Sequence, residues 1–159
     1  MSYYHTGLLI KKLPVKEPAP ILPQRSGRVP VEESQLRAKV QALPALLAAD
    51  GLLQQRARAA SCHFLLQLGD AVFHAEIADG ALTLTQGPLL MRSWQFALRG
   101  DAQMWDEFWK PIPTAGFHDL FALTKAKRLV IEGDLLPFMR HLLFFKDLLA
   151  LPRQMGAAR

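Results

Sequence analysis

The sequence predicts an α+β fold, with one mainly antiparallel sheet and its helices gathered on the sheet's apolar face. Three observations carry that expectation. Alternating runs at Cys62 to Leu68, Ala71 to Ala78 and Ala81 to Gln86 are separated by Gly69-Asp70 and Asp79-Gly80, two-residue loops of the kind that close hairpins. Helix-forming stretches flank this meander on both sides. A short β-branched run, Lys127-Arg128-Leu129-Val130-Ile131-Glu132, then passes through Gly133-Asp134 into a helix that is apolar almost all the way round.

Length and composition allow one domain with a real core and some chain left over: 159 residues, 50% hydrophobic and 21% charged. Of the net charge of +5, +4 lies in residues 1–30, where Lys11, Lys12, Lys16, Arg25 and Arg28 face Glu17 alone. The rest is nearly neutral and carries no basic stripe interleaved with aromatics, so no nucleic-acid partner is expected. The single cysteine, Cys62, excludes an intramolecular disulfide and offers no zinc spacing, which suits a reducing, cytoplasmic compartment. The first apolar run, Gly7 to Ile10, is too short for a secretory core, and Lys11-Lys12 lies on its wrong side.

The elements follow in order. Residues 1–30 hold Pro14, Pro18, Pro20, Pro23 and Pro30 without a sustained period, and read as a proline-rich basic arm or linker. Such an arm is a solvated tail, a tether toward a partner, or a basic segment leaning on an anionic membrane surface. Residues 31–159 read as a single domain. From Glu32 to about Ala60, Pro44 and Asp50-Gly51 suggest two shorter amphipathic helices rather than one. Counting through the two hairpin loops places Phe64, Leu66, Leu68, Ala71, Phe73, Ala75, Ile77, Leu82 and Leu84 on one face of the meander. His63, Gln67, His74, Glu76, Thr83 and Thr85 fall on the other, with Leu65 and Val72 among them; that face reads as solvated.

A fourth strand, Ser93 to Arg99, puts Trp94, Phe96 and Leu98 together. Asp101 caps a helix with an aromatic stripe of Trp105, Phe108 and Trp109, stopped by Pro111 and Pro113. Phe117 to Lys125 reads as a short helix, and Asp134 caps a last helix from Leu135 to Leu149. Arg140, His141, Lys146 and Asp147 interrupt that helix below the ~18 uninterrupted apolar residues of a membrane span. Its apolar girth requires cover on more than one side, or contact with something apolar beyond the fold.

Three segments stand in a telling order: Ala78-Asp79-Gly80-Ala81-Leu82-Thr83, then Arg99-Gly100-Asp101-Ala102 entering the aromatic helix, then Arg128-Leu129-Val130-Ile131-Glu132-Gly133-Asp134 entering the last helix. From about Cys62 to Leu149 the chain thereby resembles the sterol carrier protein-2 (SCP-2) family of lipid-binding domains. The resemblance implies a five-stranded sheet with helices on one face, enclosing an apolar tunnel that carries sterols, fatty acyl chains or other lipids. Bacterial relatives include accessory factors of ubiquinone biosynthesis. Two segments depart from the family, Trp109-Lys110-Pro111-Ile112-Pro113 and Phe117-His118-Asp119-Leu120-Phe121, and their aromatics are large enough to narrow or plug the tunnel.

The candidate lipid-binding residues are Phe64, Phe73, Ile77, Leu84 and Phe96 from the sheet, and Trp105, Phe108, Trp109, Phe121, Phe138, Met139, Leu142 and Phe145 from the helices. The same spacing also makes an ordinary core, and both readings stand. His118, Arg140 and His141 lie beside apolar helices, as either headgroup contacts at the tunnel mouth or plain helix surface. His63, His74 and Glu76 share a sheet face and offer metal or acid–base chemistry, but a cross-strand His/Glu pair is ordinary sheet surface. Cys62 and His63 point to opposite faces and make no nucleophile–base pair. Phosphate-binding, nucleophile-elbow, zinc-protease and dinucleotide motifs are all lacking, so no catalytic residue, metal or cofactor is expected. The expected function is non-enzymatic carriage of an apolar lipid (acyl, sterol-like or isoprenoid). The alternative is an accessory module that docks on a partner enzyme through its apolar C-terminal helix, with peripheral membrane contact a further option.

Overall fold

In the computed structural model, which describes residues 31–87 and 92–156, the chain opens with α1 (Val31–Ala49) and α2 (Gly51–Ala57). The expected arm at 1–30 lies outside the described residues. The helix pair breaks only once. Asp50 caps α2 by accepting from the Leu53 N–H at 3.0 Å, whereas α1 runs straight through Pro44. Pro44 removes a helix hydrogen bond, but buried Leu36, Val40, Leu43 and Leu47 hold that helix on the core.

The meander forms as counted. β1 (Cys62–Leu68), β2 (Ala71–Ala78) and β3 (Ala81–Gln86) pair antiparallel, with Leu68 opposite Ala71 and Ile77 opposite Leu82. β4 (Phe96–Gly100) then lies parallel to β1, and β5 (Leu129–Gly133) antiparallel to β4, giving the order β3-β2-β1-β4-β5. The sheet is mixed, with three antiparallel pairings and one parallel.

Strand β4 is shorter than the sequence suggests. Gln95 donates its N–H to His63 O at 2.8 Å and accepts the His63 N–H on its side-chain oxygen at 3.0 Å. Trp94 falls outside the strand, so it does not join Phe96 and Leu98. Its ring lies 5.8 Å from the Arg99 guanidinium, a residue of the opposite face. The glycine at 133, with φ +96°, is required there because a Cβ would meet both Gln95 O and the Trp94 ring.

Helices α3 (Ala102–Phe108) and α4 (Leu120–Lys125) are capped by Asp101 and Asp119, whose carboxylates accept from the Met104 and Phe121 N–H groups at 2.6 and 2.8 Å. The last helix is two helices, α5 (Leu135–Arg140) and α6 (Leu142–Ala150), followed by a 3-10 turn at Leu151–Gly156. Asp134 caps α5 as expected, accepting from Leu136 N–H at 3.0 Å. The break falls at His141, at φ −116° and ψ 33°, which gives α6 no side-chain cap. It lets α5 and α6 take separate courses, with Phe144 buried as well as Phe145 and with Arg56 of α2 held to Asp147 of α6 at 2.9 Å.

Candidate functional site

Most of the lipid-binding candidates converge on the apolar face of the sheet. Phe64 stacks on Phe96 at 5.2 Å, Phe145 meets both edge-on at 5.6 and 5.2 Å, and Phe138 lies 5.4 Å from Phe96 and from Phe145. Trp105, Phe108 and Trp109 form a second cluster, with Trp105 at 5.8 Å from Phe108 and 5.1 Å from Trp109. Each indole N–H is satisfied: Trp105 donates to Gln67 O at 2.9 Å and Trp109 to Leu149 O at 2.7 Å. Phe73 and Ile77 are buried in the same core, and Leu84 is half-buried against it. The chain's own rings therefore meet across the space between sheet and helices.

The remaining candidates lie outside that core. Phe121 and Met139 are exposed and Leu142 is half-buried. Arg140 and His141 join Met139, Leu142, Leu143 and Phe144 around an open cleft of about 410 Å³, closed on its α2 side by Arg56 and Ala59. Its buried floor, Phe144, touches Phe145 at 5.2 Å and so connects the cleft to the aromatic core. Three basic side chains border an otherwise apolar surface.

His118 is not part of this group. It lines a separate cleft of about 170 Å³ with Phe108, Lys146 and Arg153. Arg153 ties that region together by donating to Phe108 O at 2.8 Å and His118 O at 3.1 Å. Asp119 beside it is partly buried, which raises its pKa. Hydrogen bonds from Lys146, at 2.5 Å, and from the Phe121 backbone outweigh that and hold the carboxyl below its ordinary range. The spacing of His118 from Arg140 along the chain carries no signal of this separation.

The outer sheet face is less wet than its sequence suggests: Leu65 is 5% exposed and His74 9%. Arg99 spans it, donating to Glu132 at 2.5 Å and to Gln67 at 2.6 Å. Such long side chains lie along the strands and shield what sits between them. His63 pairs with Glu76 at 3.1 Å as the register requires, but Arg92 takes the other Glu76 oxygen at 2.9 Å. Burial, and then the nearby Arg92 charge, lower the pKa of His74. Among the described residues, no three His, Cys, Asp or Glu side chains gather in a way that could hold a metal. Burial also pushes the Cys62 thiol up to about 12, far from a reactive thiolate.

No protein-family model matches the sequence, and no curated protein matches it. Solved structures do match the fold. A sterol carrier protein 2 superposes with a TM-score of 0.56 at 15% identity, over 74% of this chain and 95% of that one. The "UbiJ-SCP2 Ubiquinone synthesis protein" matches with a TM-score of 0.52 at 12% identity, over 80% of this chain and 98% of the other. The apo sterol carrier protein 2 of Yarrowia lipolytica gives 0.52 at 8% identity, over 79% and 96%.

Proposed function

From the premise that this chain has an SCP-2-like fold, we propose that it binds an apolar lipid chain and performs no chemistry on it. The observation that carries this reading is the cleft at the α5–α6 break, an apolar surface floored by Phe144 and bordered by Arg56, Arg140 and His141. Binding there is desolvation: Met139, Leu142, Leu143 and Phe144 replace water around an acyl or isoprenoid chain, at ~0.8 kcal/mol per buried CH₂. The basic border suits a polar or anionic head. Deeper entry requires the ring contacts of Phe138 and Phe145 to part, and the break at His141 is where α5 can swing as a lid. The free, buried Cys62 suits a cytoplasmic setting, which belongs to the same proposal.

The test is native mass spectrometry of the protein purified from cells, followed by lipid analysis of the released species. A stoichiometric acyl or isoprenoid compound is expected. An empty protein that also fails to bind a fluorescent fatty acid sinks the proposal.

One observation favours a second reading. The core is filled by its own rings, while Leu135, Leu136, Met139 and Leu143 are exposed in sequence around the α5–α6 break. That arrangement suits an accessory module that docks on a partner, such as an enzyme it serves. Retention of a defined enzyme by the wild type, and not by a Leu143→Glu variant, would support it.

A further inference from the structure

His74 lies on the outer sheet face, 9% exposed, between Leu65 of β1 and Thr85 of β3. Among the described residues its ring makes no hydrogen bond or ion pair. Two residues along the same strand, Glu76 is gripped from two sides, by His63 Nε2 at 3.1 Å and by Arg92 at 2.9 Å. Arg92 belongs to the short lead into β4, and that lead reaches beyond the outer face. Gln95 holds the N–H and the C=O of His63, at 3.0 and 2.8 Å. Its own carbonyl accepts the Asp134 N–H at 2.7 Å, and Asp134 is the cap of α5. Gly133 permits that approach, since a Cβ there would meet Gln95 O and the Trp94 ring. Four residues, Arg92 to Gln95, thus run from the surroundings of a buried histidine to the root of α5.

We propose that Arg92 to Gln95 form an acid-released latch on α5: a proton on His74 frees Arg92 from Glu76 and, through Gln95, loosens the start of the helix. The proposal rests on the lid reading of α5 given above and names what regulates that lid. Among the described residues, the charged or titratable groups that face His74 are His63 from β1, Glu76 along β2, Arg92 from the lead, and Arg99 from β4. Arg99 is already held by Glu132 of β5, and β3 offers only Thr83 and Thr85. Glu76 is therefore the one carboxylate open to a new cation, and both of its oxygens are taken. A protonated His74 competes with Arg92 for that carboxylate and repels the guanidinium as well. Burial, and then the Arg92 charge, lower the His74 pKa, so the ring is neutral near pH 7 and the latch holds. It lets go as the pH falls below 6.5 through the folded-state value. The signal passes round the sheet through β5, an edge strand that leads directly into α5, and leaves the packed aromatic core undisturbed.

The experiment is hydrogen–deuterium exchange of the full chain, read by mass spectrometry at about pH 7.5 and about pH 5, with exchange times rescaled for pH. In the wild type, acid should speed exchange about threefold over residues 92–96 and 134–140, a shift within reach of one exposed ion pair. Exchange in α1 should not change. His74→Gln should abolish the acid response and His63→Gln should keep it. Glu76→Gln should exchange fast over both segments at either pH, and it carries the test if His74→Gln fails to fold. The readout needs no ligand, so it separates the latch from lipid carriage. If exchange responds as expected while no fluorescent fatty acid binds, the latch stands and the carrier reading falls. The proposal is overturned by a wild type that ignores acid, by a response kept in His74→Gln or lost in His63→Gln, or by slow exchange of Glu76→Gln at neutral pH. Equal acceleration in α1 also overturns it, because that is general unfolding.

Discussion

Phe138 and Phe145 on the inner side of α5–α6 are 1% and 0% exposed, while Leu136 and Leu143 on the outer side are 62% and 70% exposed. The two sides are built from equally apolar residues. The inner one is saturated: each ring has aromatic partners at 5.2–5.6 Å, and the sheet behind it leaves no side for water. The outer one has no partner among the described elements. Hydrophobicity thus does two different jobs in one stretch of chain, stabilising the fold inwardly and leaving a surface to be covered outwardly.

The most severe test of this contrast is truncation of an inner ring. Phe145→Ala should cost about 3–5 kcal/mol of stability, read from urea unfolding, because the void it leaves is walled by Phe64, Phe96 and Phe138. A cost below about 1 kcal/mol would mean that the rings pack loosely enough to admit a ligand. Trp109→Phe keeps the inner packing but strands the buried Leu149 carbonyl, and should cost about 1–3 kcal/mol by the same measurement. Asp134→Ala removes the cap that starts α5 and should cost about 1 kcal/mol, lowering the thermal midpoint while the sheet signal persists up to melting.

Acid should expose a milder weakness on the outer sheet face. The folded-state pKa of His74 lies below its ordinary 6.5 because of burial and then Arg92. Between those two values the unfolded chain binds more protons. The stability His74 supports is therefore complete above pH 6.5 and is lost as the pH falls from there through the folded-state value. A midpoint scan should show the wild type weakening over that window and His74→Gln weakening less. The smallest effect belongs to the outer strip: Leu136→Ser or Leu143→Ser should change stability by no more than about 0.5 kcal/mol. A large loss in calorimetry would mean that the strip is already covered within the fold.

Local signals in the sequence determined a good deal. Gly69-Asp70 and Asp79-Gly80 set the loop lengths, and a period of two then fixes which side chain faces which way, so the meander register and the His63–Glu76 pair follow by counting. Asp101 and Asp134 announce their helices because a cap is a contact across three residues or fewer. The apolar and aromatic stripes were legible as well, but not whether each member is core, and Phe121 and Met139 are exposed.

What only the tertiary structure decided involves elements remote in sequence. The parallel pairing of β1 with β4 joins strands that no single turn connects. The break at His141 carries no glycine or internal proline, and reflects the separate packing of α5 and α6. The grouping of Arg140 and His141 with Arg56, the separation of His118 from them, and the burial of Leu65 and His74 on a face that reads as polar all depend on which distant surface arrives. Periodicity states that a residue is apolar and where it points along its own element. Whether a partner waits there is a property of the packed chain, and around α5–α6 that difference separates core from candidate site.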